Sequence, residues 1–234
     1  MQIIWKYFYS TWSGRDKGTL YHIKNRLNRS NVSAEVKRDF NACEDFIEIV
    51  TSSQIVAAAL TTFGINSIDD EVESSDLPDD LWMKSREERQ DALEELYTKV
   101  YDRFICLSLS SSTKVPRDGD AVSSYTIELL RIGCLYMESA DAIREGDRER
   151  VIRCWWYFLP IFKASNSTNS SCEAVHFLYQ YQYALSPRLS NQLIWGQFVN
   201  VRGLPGQNIP LDLHMEHLNR IAKDAMRNLG SNKA

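Results

Sequence analysis

The chain has 234 residues, 44% hydrophobic and 25% charged, the make-up of an ordinary globular protein. That excludes a disordered tail, a collagen-like fibre and a disulfide miniprotein, and leaves room for one domain or two small ones with a sizeable core. The net charge of −4 is uneven: seven of the 31 acids lie between Asp69 and Asp80 with no base among them, so the rest is mildly basic and a polyanion partner is not excluded.

Ten Gly and six Pro are few for an all-β sandwich, and apolar spacing reads as helix almost throughout. The fold class expected is mainly α, an irregular multi-helix bundle. The opening MQIIWKYFY passes for a strand, but the polar run after it suits a helix end. From Ser33 onward, Val36, Phe40, Cys43, Ile47 and Val50 mark one stripe of a helix reaching about Phe63, with Gly64 as its stop. Residues 66–82 read as an acidic loop.

Leu93, Leu96, Val100, Phe104 and Leu107 then mark a second long helix, entered through a solvated segment from Lys84 to Glu95. Pro116 and Gly119 break it, and 111–120 is the candidate subdomain break inside a single domain of residues 1–234. Ile127, Leu130, Cys134 and Met137 share the next helix face. Glu145-Gly146-Asp147 joins that helix to one carrying Val151, Cys154, Trp155, Phe158 and Phe162.

Residues 165–171, SNSTNSS, read as a loop. Helices are expected over about 172–184 and again after Ser186-Pro187, where Pro suits a first turn. Residues 200–210, NVRGLPGQNIP, read as irregular. The last helix is expected from near Asp212 to Leu229, ended by Gly230, with Leu218, Ile221, Ala225 and Leu229 as its buried stripe.

Five scattered cysteines, never in a CxxC pair, suit a reducing compartment and free thiols. The N-terminal segment lacks a basic n-region and cleavage site, so the expected location is intracellular, nuclear or cytoplasmic, and not secreted. The sequons at Asn166 and Asn169 are then formal only. The uncharged stretch from Ile49 to Ile68 has the length of a membrane span, but eight of its twenty residues are Thr, Ser, Gln or Asn, which argues for a soluble helix and no membrane partner.

The densest cluster of chemical side chains is Asp212-Leu-His214-Met-Glu216-His217-Leu-Asn-Arg220. His214 and His217 are three apart on one helix side and are candidate metal ligands, although HMEH lacks a third ligand. The same residues have a plain structural reading. Asp212 serves as N-cap, Glu216 and Arg220 form an i,i+4 pair, and Arg220, Lys223 and Arg227 make a basic edge.

The loop before that helix, with Arg202-Gly203 and Gly206-Gln207-Asn208, reads either as a phosphate cradle or as simple turns. Trp155-Trp156-Tyr157-Phe158 and the tyrosines at 179, 181 and 183 read either as base-stacking groups or as core. Tyr179 and Tyr183 share a face that Tyr181 does not, so at least one tyrosine is expected at the surface. His176, alone on an apolar helix, is expected to be packed.

At Asn208-Ile-Pro-Leu-Asp-Leu-His-Met-Glu-His-Leu-Asn-Arg220 the sequence resembles the signature of domain of unknown function 6589, a eukaryotic family of long invertebrate and fungal proteins. IWKYFYST, the run from Gly14 to Tyr21, Asp141-Ala-Ile-Arg-Glu-Gly-Asp147 followed by Arg153-Cys-Trp, and residues 200–206 agree with it, so the resemblance spans nearly the whole chain. Longer members carry an acidic Gly-Asp-Gln motif upstream, an arrangement that looks like a transposase core of RNase H-like fold, with paired metal ions held by carboxylates.

On that resemblance this chain would be the helical insertion plus last helix of a larger RNase H-like protein, lacking the early aspartates. Glu216 or Asp212 would be the counterpart of the final carboxylate. Arg202, Arg220, Lys223 and Arg227 would lie along a nucleic-acid backbone, and His214 and His217 near a metal. The implied function is a truncated, catalytically incomplete part of a transposase-derived, nucleic-acid-handling protein. DNA and a missing N-terminal domain are its expected partners. No cofactor is expected for the chain alone, and a divalent metal only within a complete nuclease core.

The alternative is a helical protein-interaction module with no chemistry, motivated by the aromatics on helices and the missing partner carboxylates. A small metalloenzyme built on HMEH ranks last. Whether this is an enzyme, and its oligomeric state, are left open.

Overall fold

The computed structural model describes residues 1–10, 15–67, 69, 81–106 and 121–230, with side chains of the last helix as far as Arg227. It is mainly α, as the apolar spacing predicts. The chain divides into two compact units, 1–134 and 135–234, at a point inside one helix. The break expected at 111–120 and residues 68 and 70–80 of the acidic loop lie outside the described residues, as does Leu107.

In the first unit, α1 (Gln2–Ile4) runs into a π-helical turn (Trp5–Tyr9) closed by Ser10 N–H on Trp5 O at 2.9 Å. The strand alternative for this segment is thereby set aside. Trp5 and Tyr9 stack at 5.0 Å, both 3% exposed, and Trp5 Nε1 donates to Ser33 O. Next come α2 (Leu20–Arg26), capped by Thr19 Oγ1, and α3 (Phe40–Thr62), which stops at Gly64 with φ +70°. Residues 33–39 are turn rather than the first turn of α3. Of the expected stripe, Val36, Cys43, Ile47 and Val50 are buried and face the core, joined by Phe46, while Phe40 at the helix start is 40% exposed.

α4 (Arg86–Val100) starts with a capping box between Ser85 and Glu88 and ends in a π turn (Tyr101–Ile105). Its Leu93 is 49% exposed, so the expected stripe is only partly covered. The first half of α5 (Ala121–Glu145) packs against α3. Their approach is close: a Cβ at Gly133 would overlap Thr51 Oγ1 and lie 3.0 Å from its Cγ2. Tyr125 ties three elements together, donating to Phe8 O at 2.6 Å and accepting from Leu20 N at 3.0 Å. Burial pushes its phenol up to about 12.

The second unit holds the end of α5, α6 (Arg148–Ala164), α7 (Thr168–Tyr179), a π turn (Gln180–Ala184), α8 (Pro187–Trp195) and α9 (Leu211–Gly230). α7 begins inside the stretch expected to be a loop: Ser167 makes no side-chain cap, its backbone O accepts from Ser171 N–H and Oγ, and burial of Ala174, Phe177 and Leu178 holds the helix. Two short strands, β1 (Phe198–Val199) and β2 (Ile209–Pro210), pair antiparallel around the loop read as irregular, with Phe198 opposite Pro210. The core joins Ala142, Val151, Ile152, Phe177, Leu178, Ile194 and Phe198.

The α5–α6 joint takes two residues. Gly146 N–H bonds to Ile143 O and Asp147 N–H to Ala142 O, a Schellman ending made possible by φ +74° at Gly146. Asp147 then caps α6, accepting from Glu149 N and Arg150 N at 3.1 Å. Across the joint, Arg150 grips Glu138 with two bonds of 2.7 and 2.8 Å and reaches Asp141 at 2.6 Å.

Candidate functional site

An α-helix advances about 100° per residue, and this periodicity sorts the side chains of α9 before any contact is considered. Asp212 and Glu216 are four apart and share a side, as do His214 and His217, which are three apart. His214 and Glu216, two apart, point to opposite sides. The helix therefore separates the carboxylates from the imidazoles. The structure does not bring Asp212, His214, Glu216 and His217 to one point, and these four do not fit a single metal ion. Among the described residues, no group of three or more His, Cys, Asp or Glu side chains is placed to hold a metal.

α9 starts at Leu211, so Asp212 lies within its first turn and is not the expected N-cap; its Oδ1 accepts from the adjoining Leu213 N–H at 2.8 Å. Among the described residues, Glu216 and Arg220 form no ion pair, and the pair on this helix is Arg227–Asp224 at 3.7 Å. Arg220, Lys223 and Arg227 lie within an arc of about 60°, exposed, and share it with Glu216. Over residues 212–227, Asp212, Glu216 and Asp224 balance these three bases, so the helix offers phosphate no net positive charge.

Of the stripe expected to be buried, Leu218 is 45% and Ile221 64% exposed and Ala225 is exposed as well, while the side chain of Leu229 lies outside the described residues. Among the described residues α9 is anchored at its start, where Leu211 N–H bonds to Gln197 O at 2.9 Å and Leu213 and His214 are half-buried. From Met215 to Arg227 every residue is exposed.

Arg202 is exposed on the loop between β1 and β2, with no hydrogen bond or ion pair to α9 among the described residues. The loop's polar groups turn inward. Asn200 Nδ2 donates to Leu204 O at 2.8 Å, and Gln207 N–H bonds to Leu204 O. Asn208 donates twice to Arg144 O, from Nδ2 at 2.8 Å and from its backbone N–H at 3.3 Å. Of the donors expected in a phosphate cradle, Asn208 thus closes the end of α5 and Gln207 N–H closes a turn within the loop, while Arg202 stays exposed.

One further expectation is corrected and another is met. His176 is exposed, 3.2 Å from Gln180 Nε2, because it lies across α7 from the buried Ala174, Phe177 and Leu178. Tyr179 and Tyr183 are 57% and 70% exposed with ring centroids 5.9 Å apart, while Tyr181 packs on the core, so the tyrosine split follows the helical spacing. All five cysteines are free. Cys43 and Cys154 are buried, and burial, with Glu138 nearby, pushes the Cys154 thiol up to about 11.

Residues 1–234 match the model described as "Family of unknown function (DUF6589)". The chain belongs to this family. No curated protein and no solved structure matches it. In this DUF6589 chain, several stretches that carry the resemblance are joints and core. Trp5, Phe8 and Tyr9 pack or tie the first unit, and Asp141, Gly146, Asp147 and Asn208 meet around the end of α5. Asn208 and Gly146 are the residues whose pairing sequence reasoning missed: a Cβ at Gly146 would lie 3.0 Å from Asn208 Nδ2.

Proposed function

We propose that this DUF6589 chain is a helical protein-interaction module that buries the apolar face of α9 against another protein surface and carries no chemistry of its own. The observation behind this reading is the exposure of that face: Met215 at 48%, Leu218 at 45%, Ile221 at 64% and Met226 at 71%. Together they span an arc of about 140° on a helix whose other side is charged. Contiguous apolar surface of this kind marks an association site.

The test is the double variant Leu218→Gln, Ile221→Gln. Both positions are exposed, so at low protein concentration the stability should change by no more than about 0.5 kcal/mol, as for a surface site. Binding of a dye that reports exposed apolar surface should fall. A thermal midpoint lowered by several degrees would make the face part of the chain's own core and overturn the reading.

A second reading, nucleic-acid handling by a transposase-derived protein, is favoured by the shared exposed arc of Arg220, Lys223 and Arg227. It expects DNA affinity that falls with salt, and a shallower salt slope in Arg220→Ala, Lys223→Ala, Arg227→Ala. No binding even at low salt would remove it.

A further inference from the structure

We infer that α8 carries a binding site for single-stranded nucleic acid, built on Trp195 with Arg148 and Arg188 beside it. The site lies wholly in the second unit and is independent of either reading of α9. Arg188, Asn191, Gln192 and Trp195 fall within an arc of about 100° on α8, all exposed, opposite the buried Ser190 and Ile194. Arg148 comes in from the start of α6. It donates to Asn191 Oδ1, and its guanidinium carbon lies 5.1 Å from the centre of the Trp195 ring. Phe198, a core residue, meets the indole at 66° with ring centroids 5.7 Å apart. The ring is thus held from the protein side, while Trp195 remains 52% exposed.

The first support is charge. No Asp or Glu occurs between Glu173 and Asp212, in a chain with 31 acids among 234 residues. Arg150 on α6 takes two carboxylates, Glu138 and Asp141. Arg148, two residues earlier, has an amide oxygen instead, and among the described residues neither it nor Arg188 forms an ion pair. Asp147, its neighbour in the chain, is engaged with the backbone N–H groups of Glu149 and Arg150. Both arginines also stand in the first turn of their helices, where positive charge is disfavoured. Two cations are left for an external anion.

The second support is the mixture of groups. In a bound single strand, bases stack on aromatic faces, amides reach base edges and guanidinium groups meet phosphates. Trp195, the amides of Asn191 and Gln192, and the two arginines provide all three kinds on one strip. Arg188 and Trp195 are seven residues apart, about 10 Å along the helix, which leaves room for a base on the indole and its phosphate at Arg188. An acidic peptide matches the arginines but leaves the open indole unused.

The experiment titrates residues 1–234 into a labelled oligothymidylate of about ten nucleotides, the same strand without bases, and a polyglutamate peptide. Binding to oligothymidylate is expected at low salt and should weaken as salt rises. The baseless strand should bind about 5- to 100-fold more weakly, and Trp195→Ala should erase that difference. Arg188→Ala, at an exposed position, should lower the salt slope by about one. That variant decides the matter if Trp195→Ala also lowers the thermal midpoint.

No binding at low salt overturns the site. Equal affinity for the baseless strand or for polyglutamate overturns the nucleic-acid assignment. A salt slope unchanged in Arg188→Ala but reduced in Arg220→Ala, Lys223→Ala, Arg227→Ala puts the strand on α9 and overturns the α8 site as well.

Discussion

At the scale of single residues, Arg150 carries the most polar weight. Its guanidinium, 26% exposed, holds Glu138 and Asp141 across the α5–α6 joint. The side-chain bonds from Arg150 hold the Glu138 carboxyl below its ordinary value, against a smaller opposing effect of desolvation. A depressed carboxylate stabilises the fold above its unfolded pKa, and that contribution is lost as pH falls through the folded value. Arg150→Met should therefore be less stable than the parent at neutral pH. The difference should shrink on acidification below the ordinary Glu value of 4.5. Urea titrations at successive pH values measure it, and a difference independent of pH would mean that the joint draws nothing from this ion pair. The pair is largely solvated, so its effect at neutral pH is expected to be modest.

At the scale of elements, several ends were readable because a local chemical signal marks them. Gly64 ends α3, Ser186-Pro187 starts α8, and Gly146-Asp147 ends one helix and caps the next within two residues. Gly146→Ala tests that economy. It puts a Cβ at φ +74° and 3.0 Å from Asn208 Nδ2, and should cost about 1 to 3 kcal/mol. Hydrogen exchange should also quicken at Asn208, whose amide bonds to Arg144 O. Loss of stability without faster exchange there would separate the glycine from the latch. That latch was not legible, since Asn208 and Arg144 are 64 positions apart and no local pattern links them. The phase of α9 was legible, but its burial was not. Amphipathic spacing shows that a helix needs a partner surface and leaves open which chain provides it. The separation of His214 from Glu216, by contrast, follows from their two-residue spacing alone.

At the scale of the whole molecule, one helix supplies both cores. α5 gives Leu129 and Leu130 to the first unit and Ala142 to the second. Each core also holds a buried thiol, Cys43 at 0% and Cys154 at 3% exposure, while Cys172 is exposed. Alkylation under native conditions should modify Cys172 at once. It should reach Cys43 and Cys154 only through unfolding, at rates that respond alike to urea, because losing either core releases part of the same helix. Site-resolved mass spectrometry reads all three. Widely different urea dependences at Cys43 and Cys154 would show two units that open separately.

The bond from Asn208 to Arg144 also sets a timetable. On a ribosome adding about 5 to 20 residues per second, the end of α5 emerges roughly 3 to 13 s before the asparagine that closes it. In that interval Arg144 O lacks its Asn208 donors and the β1–β2 pair cannot form. α9 follows, after its anchor at Gln197 is in place. Its apolar face is thus made later than the helices before it, on a unit that has already had time to pack.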